Sequence, residues 1–225
     1  MAYKKETLKK LIETFNEFMR EYARVKDLKL CISLGNRKIG RVMNVSLPPV
    51  LSCGRCKECM HYCYDIKACM QHPREVARAR VRNYVLLKRD RAEYFRQVED
   101  AIRRRRTNKY FRWHVAGDIV DADYFRQMVA IAERHPDFTF WTYTKMYHIV
   151  NAFIDEGGRV PENLHIMFSE WRGLAMENPH SMPEFRVVFK GEVAPEGYYC
   201  PGNCDICKAS GRGCLAGETT YAHEH

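Results

Sequence analysis

Residues 111–144 read FRWHVAGDIVDADYFRQMVAIAERHPDFTFWTYT. The run opens on a strand, Phe111 to Val115, that ends in Ala116, Gly117 and Asp118. From 121 to 134 the residues Tyr124, Phe125, Met128, Val129 and Ile131 recur at three- and four-residue steps, the period of one helix face. FTFWTYT, residues 138–144, is aromatic and β-branched and reads as a second strand. Strand, helix and strand in this order make a βαβ unit, whose two strands run parallel.

The pattern continues on both sides. A helix over 145–156 is stopped by Gly157 and Gly158, and LHIMFS (164–169) and FRVVFK (185–190) read as strands. Upstream, a helical zone runs from Pro73 to about Arg106, with a second helix starting near Asp90. LKLCISL (28–34) and RVMNVS (41–46) read as short strands, and Pro48 and Pro49 force an extended path. Residues 4–25 form an amphipathic helix with Leu8, Leu11, Ile12, Phe15, Phe18, Met19 and Tyr22 on one side. The expected fold is α/β: a partial or open (βα) barrel with a mostly parallel sheet and a Cys-rich, irregular C-terminal segment. The units legible between 73 and 169 are too few for a full eight-fold barrel. The expected organisation is 1–45, an N-terminal helix with short strands; 46–190, the α/β core with the first cysteine group; and 191–225, a Cys-rich tail packed on the core.

Composition narrows the class. The chain has 225 residues, 46% of them hydrophobic and 12% aromatic, which excludes disorder and permits a core without disulfide staples. No run of eighteen apolar residues exists, so no membrane association is expected. The start, MAYKKETLKKLIETF, lacks the apolar region of a signal peptide, and the expected location is the cytoplasm. Disulfides are disfavoured there. Eight of the ten cysteines nevertheless fall into two short groups, which points to metal. The formal charge of +9 permits nucleic-acid binding, and its densest patch is Arg103 to Arg106. The same patch also reads as the solvated end of a helix.

The first group is SCGRCKECMHYCYDIKAC, in which Cys53, Cys56, Cys59 and Cys63 follow C-x2-C-x2-C-x3-C. This is the spacing of bacterial ferredoxins, although Tyr64 stands where a proline is usual. Zinc is the alternative. Cys69 reads as a spare ligand or a buried apolar residue, Cys31 as core, and His61 and His72 as exposed residues or ligands. The second group, CPGNCDICKASGRGC, places Cys200, Cys204, Cys207 and Cys214 in C-x3-C-x2-C-x6-C. Its first three cysteines share the spacing of radical S-adenosylmethionine enzymes, while Cys214 would close the open iron site. A closed structural or electron-relay cluster, a zinc knuckle and an open reactive cluster all remain as readings. His223 and His225 are further ligand candidates or a tag remnant. The expected cofactor is one or two [4Fe–4S] clusters, on the two groups separately or shared between them, with zinc as the alternative.

Ligands of α/β sheets sit at the carboxyl ends of the strands. Gly117 and Asp118, Thr144 and Lys145, and Ser169, Glu170 and Trp171 stand at three such ends, with His114 inside the first strand. Asp118, Lys145 and Glu170 are the candidate catalytic residues, and His114, Gly117 and Asp118 the candidate cofactor-binding residues.

These residues also carry a resemblance. SLPPVLSCGRCKECMHYCY, VARARVRNYVLL, YFRQVEDAI, FRWHVAGDI, NLHIMFSEWRG, ENPHSMP and CPGNCDICKASGRGC resemble the phage and plasmid gene product 88 family over most of residues 46–225. The resemblance implies a viral or mobile-element origin, hence a host-cell cytoplasmic location, and a cysteine-bound cluster. More distantly, a cysteine loop followed by a Gly-Asp strand end looks like a radical S-adenosylmethionine enzyme, with Gly117–Asp118 in the place of the motif that holds the cofactor's amino group. Ile66 stands where the third cysteine of that pattern would be. Three functions therefore compete: an iron–sulfur enzyme, redox or radical S-adenosylmethionine-like, of unspecified substrate; an electron-transfer or redox-sensing protein that works with a redox partner; and a nucleic-acid-associated module with structural metal.

Overall fold

The computed structural model describes residues 3–37, 39–54 and 59–223. The chain divides into two compact units: Met1–Ile32 with Val45–Arg105 and His114–Asp118, and Ser33–Asn44 with Arg106–Trp113 and Ile119–His225.

The first unit is helical. It holds α1 (Lys5–Ala23), α2 (Tyr64–Gln71), α3 (Arg78–Arg89) and α4 (Arg91–Arg104), with a single π turn, Pro73–Ala77, leading into α3. Leu11, Phe15 and Tyr22 are the buried stripe of α1, and Val81, Leu86 and Leu87 that of α3. Asp90 separates α3 from α4 and accepts a hydrogen bond from the Glu93 N–H at 2.9 Å, capping the second helix. LKLCISL is not a strand. Its backbone groups are taken by side chains: Gln97 accepts from Leu30 N at 2.6 Å and donates to Leu28 O at 3.0 Å, and Asn83 does the same for Cys31 at 2.7 and 3.0 Å. With those groups taken, the ladder is reduced to one antiparallel bridge, in which Ser33 and Asn44 exchange N–H···O bonds at 2.9 and 2.8 Å.

The second unit is built on the sheet. Its strands, β1 (Met43–Val45), β2 (Tyr110–Trp113), β3 (Thr139–Thr144), β4 (Leu164–Ser169), β5 (Glu184–Val188), β6 (Tyr198–Tyr199) and β7 (Thr220–His223), lie in the order β1-β2-β3-β4-β5-β7-β6. The pairings from β2 onward are all parallel, and the sheet stays open, with β1 and β6 at its edges. The helices α5 (Ala122–Arg134) and α6 (Tyr147–Asp155) connect β2 to β3 and β3 to β4.

Register assigns the two faces, because paired residues project to the same side. Phe111, Trp113, Phe140 and Phe168 lie on one face, fully buried. Trp113 meets Tyr124 of α5 with ring centres 6.1 Å apart, and Phe168 meets Tyr147 of α6 at 5.0 Å. Each of these large side chains contributes roughly 2–3 kcal/mol on leaving water. The other face carries Arg112, Trp141 and His165 in one row, with Tyr143 two residues on from Trp141. The tail covers this face. Lys208 lies 5.6 Å above the Tyr110 ring, and a Cβ on Gly217 would stand 2.8 Å from His165 Nδ1. The glycine-rich composition of the tail suggests irregular chain, yet it contributes two strands and α7 (Cys204–Ser210), and replaces a helical layer. Among the described residues, no helix is long and apolar enough to cross a membrane.

Candidate metal centre

The tail builds its site from β6 to β7. Cys200 follows β6, and its N–H donates to Tyr221 O at 2.7 Å, fixing it beside β7. Asn203 caps α7 by accepting from Asp205 N at 2.9 Å. Cys204 and Cys207 are three apart on this helix and so share a face. The helix ends at Gly211, in the left-handed region at φ 63°, where a side chain would be strained. Cys214 lies on the 3-10 turn Gly213–Ala216. Arg212 grips Glu218 through two hydrogen bonds, at 2.9 and 2.6 Å, and Glu218 also accepts from Gly213 N at 2.9 Å. This arrangement fixes the chain on either side of Cys214.

Cys207 and Cys214 are buried, Cys204 is half-buried and Cys200 is exposed. Burial pushes the Cys204 thiol up to about 11; the Arg112 cation opposes this, and Cys207, Cys200 and Cys214 add to it. Burial raises Cys214, while the hydroxyls of Tyr143 and Thr220 lower it and Cys200 raises it. Burial also raises Cys207, against the Tyr198 hydroxyl, which stands 3.4 Å from its sulfur. The Tyr143 hydroxyl is itself pushed well up by burial and by Cys214. The four tail thiols therefore sense one another, with hydroxyls at two sulfurs and a guanidinium beside them. Soft sulfur donors, sulfur-directed hydrogen bonds and a compensating cation are what an iron–sulfur cluster requires of its protein, so the donor chemistry fits. Among the described residues, no three His, Cys, Asp or Glu side chains are arranged to hold a single metal ion.

The first group belongs to the helical unit, and Cys56 lies outside the described residues. Cys53, Cys59 and Cys63 are half-buried. Cys59 precedes the 3-10 turn Met60–Tyr62, and Cys63 caps α2. Burial raises the Cys63 thiol, the N–H groups of Ile66 and Asp65 at the helix start lower it, and Asp65 and Cys59 raise it again. Cys69 is buried and faces Asp65 at 3.6 Å, and Asp65 in turn pairs with Arg80 at 3.2 Å, so Cys69 belongs to the packing of α2. Cys31, expected in the core, is half-exposed. His61 is half-buried with Nδ1 3.4 Å from Tyr3 O, and His72 is exposed. His223 ends β7 with its ring stacked 4.9 Å from Tyr199, and His225 lies outside the described residues.

The strand-end residues fall into two sets. His114, Gly117 and Asp118 belong to the helical unit. His114 is buried at φ 56°, an uncommon conformation for a residue with a side chain, and its N–H donates to Val45 O at 2.9 Å. Gly117, at φ 87°, has no room for a Cβ, which would stand 2.7 Å from Ser52 Oγ and 2.8 Å from Leu47 Cβ. Asp118 is buried. In the sheet unit, Lys145 donates to Ser169 Oγ at 3.1 Å and lies 5.6 Å above the Trp171 ring. Glu170 pairs with Arg186 at 3.3 Å and lines a cleft of about 180 Å³ with Trp171, Arg172, Glu192 and Tyr221. Arg103, first of the basic run, is paired with Glu99 at 2.9 Å.

Sequence reasoning missed Arg112, Tyr143, Tyr198 and Thr220. Alternation along FRW and FTFWTYT already puts Arg112, Trp141 and Tyr143 at face-sharing positions, and a charged residue inside an aromatic strand is the signal that marks that face.

The family model described as Gene product 88 matches residues 22–192, which include the first cysteine group and stop short of Cys200. No curated protein matches the chain. No solved structure matches it either.

Proposed function

The chain belongs to the gene product 88 family, and from that premise we propose that it is an iron–sulfur redox protein of phage or mobile-element type whose tail cysteines carry a cluster. The observation that most supports this is the gathering of Cys200, Cys204, Cys207 and Cys214 on one sheet face, with hydroxyls of Tyr143, Thr220 and Tyr198 at their sulfurs. When bound, a cluster supplies one-electron chemistry. The chain does the rest. The four thiols serve as ligands, with Cys200 as the exposed member and Cys207 and Cys214 shielded from water. Tyr143 and Tyr198 hold their protons toward sulfur, which favours the thiolate over the thiol. The cleft beside Glu170, Arg172 and Arg186 suits a small polar substrate or the contact of a redox partner.

Cys53, Cys59 and Cys63, with Cys56, are the ligand set of a second cluster in the helical unit. One observation favours a radical S-adenosylmethionine-like role there. The Gly117–Asp118 strand end packs against Leu47 and Ser52, directly ahead of Cys53, and carries the strained His114. The experiment separates the sites. A Cys207→Ser/Cys214→Ser double variant, purified without oxygen, is expected to lose about four irons and their sulfide relative to wild type. Unchanged iron would assign the metal to the first group alone. A change in the EPR signal of the reduced wild type on adding S-adenosylmethionine would bring the second role forward, and no change would leave electron transfer.

A further inference from the structure

Two buried N–H donors on the sheet face beneath the tail, Arg112 Nε and Trp141 Nε1, lack an acceptor among the described residues. They are cross-strand neighbours in register, Arg112 on β2 and Trp141 on β3. Trp141 is fully buried, and the Arg112 guanidinium lies 4.6 Å over the ring of Tyr143, the residue whose hydroxyl meets Cys214. A buried donor without a partner costs roughly 1–3 kcal/mol, so folded proteins seldom keep two side by side. The α5 and α6 helices cover the opposite face, so neither helix supplies the acceptor. The tail thiols lie on the same side as both donors, and Arg112 already acts electrostatically on Cys204 and Cys214.

We infer that Arg112 and Trp141 are the residues that set the reduction potential of the tail cluster, by donating hydrogen bonds and, for Arg112, a fixed positive charge to its sulfur. This rests on the cluster reading of the tail. Donors and cations at cluster sulfur stabilise the reduced state, which carries one more negative charge, and so raise the potential. Arg112 and Trp141 are positioning residues in this account; neither is a ligand. A guanidinium fits the task better than an ammonium, because its stacking on Tyr143 fixes its orientation.

The test is an EPR-monitored redox titration of anaerobically purified wild type, Arg112→Met, Arg112→Lys and Trp141→Phe, with iron and sulfide measured for each. The expected result is full cluster content with more negative midpoints. Arg112→Met moves furthest, Trp141→Phe less, and Arg112→Lys least, since it keeps the charge. Midpoints equal to wild type in both Arg112→Met and Trp141→Phe, at full cluster content, would overturn the inference and leave the cluster reading intact. Should Arg112→Met lose its cluster, Trp141→Phe decides by the same criterion, because it deletes one N–H and keeps an aromatic ring in place. Wild type without acid-labile sulfide would overturn the cluster reading, and this inference with it.

Discussion

Replacing Asn83 by alanine is expected to destabilise the protein by about 3–5 kcal/mol. Asn83 is buried on α3, and its amide serves three backbone groups. Oδ1 accepts from Cys31 N at 2.7 Å, and Nδ2 donates to the carbonyls of Cys31 and Ser46, each at 3.0 Å. Alanine strands all three, at roughly 1–3 kcal/mol for each buried group left unsatisfied. Cys31 is half-exposed, so water repairs part of its loss, whereas Ser46 is fully buried and its carbonyl stays unpaired. The sum removes a large share of the roughly 5–15 kcal/mol that holds a domain together. Urea unfolding reads it directly: with a slope of about 2 kcal/mol per molar, the midpoint falls by about 2 M. Asn83→Asp should do no better, because it keeps the acceptor but turns an oxygen toward two carbonyls. A midpoint for Asn83→Ala within about 0.5 M of wild type, at unchanged slope, would refute the view that this side chain replaces a strand ladder.

Gly117→Ala should cost about 2–4 kcal/mol, from a positive φ and two contacts under 3 Å, against about 1 kcal/mol for Gly157→Ala, which has a similar φ of 84° and open space around it; equal thermal shifts would contradict the packing argument. Glu218 has its carboxylate lowered to about 2, by Arg212 first and then by the Gly213 N–H. Its contribution is therefore present above the usual value of 4.5 and lost as pH falls from there to about 2. Glu218→Gln should remove that part of the acid sensitivity, on the order of 1 kcal/mol for a half-exposed pair, as read by acid titration of the unfolding midpoint. Stripping the metal with a chelator should lower Tm and open Cys207 and Cys214 to alkylation, and identical labelling before and after would count against a tail cluster. Arg103→Ala, which takes the guanidinium from the buried Glu99 carboxylate, should cost about 1–2 kcal/mol in stability and leave duplex DNA affinity at low salt unchanged; a weakened affinity would favour the nucleic-acid reading.

The βαβ core was legible because its signals are local. LHIMFS is a strand over the residues expected, Leu164–Ser169, and the helix expected over 121–134 is found at Ala122–Arg134. Asp90 and Asp121 mark helix starts because each side chain satisfies an N–H that would otherwise be orphaned. The misses are non-local. LKLCISL has strand composition, but Asn83 and Gln97, more than fifty residues away, take its backbone groups. The tail strands Tyr198–Tyr199 and Thr220–His223 are too short for alternation to show, and they exist because Thr220–His223 pairs in parallel with β5 along its length and then offers its other edge to Tyr198–Tyr199. The cysteine spacing singles out the four tail cysteines as candidate donors. It could not reveal Arg112, Tyr143 or Thr220, which reach the thiols only once β2, β3 and β7 lie in one sheet.

Iron and sulfide on the cysteines are read most directly from the iron, zinc and acid-labile sulfide content of protein purified without oxygen. Iron with matching sulfide is expected, about eight of each for two cubane clusters or about four for one. Zinc without sulfide would contradict it.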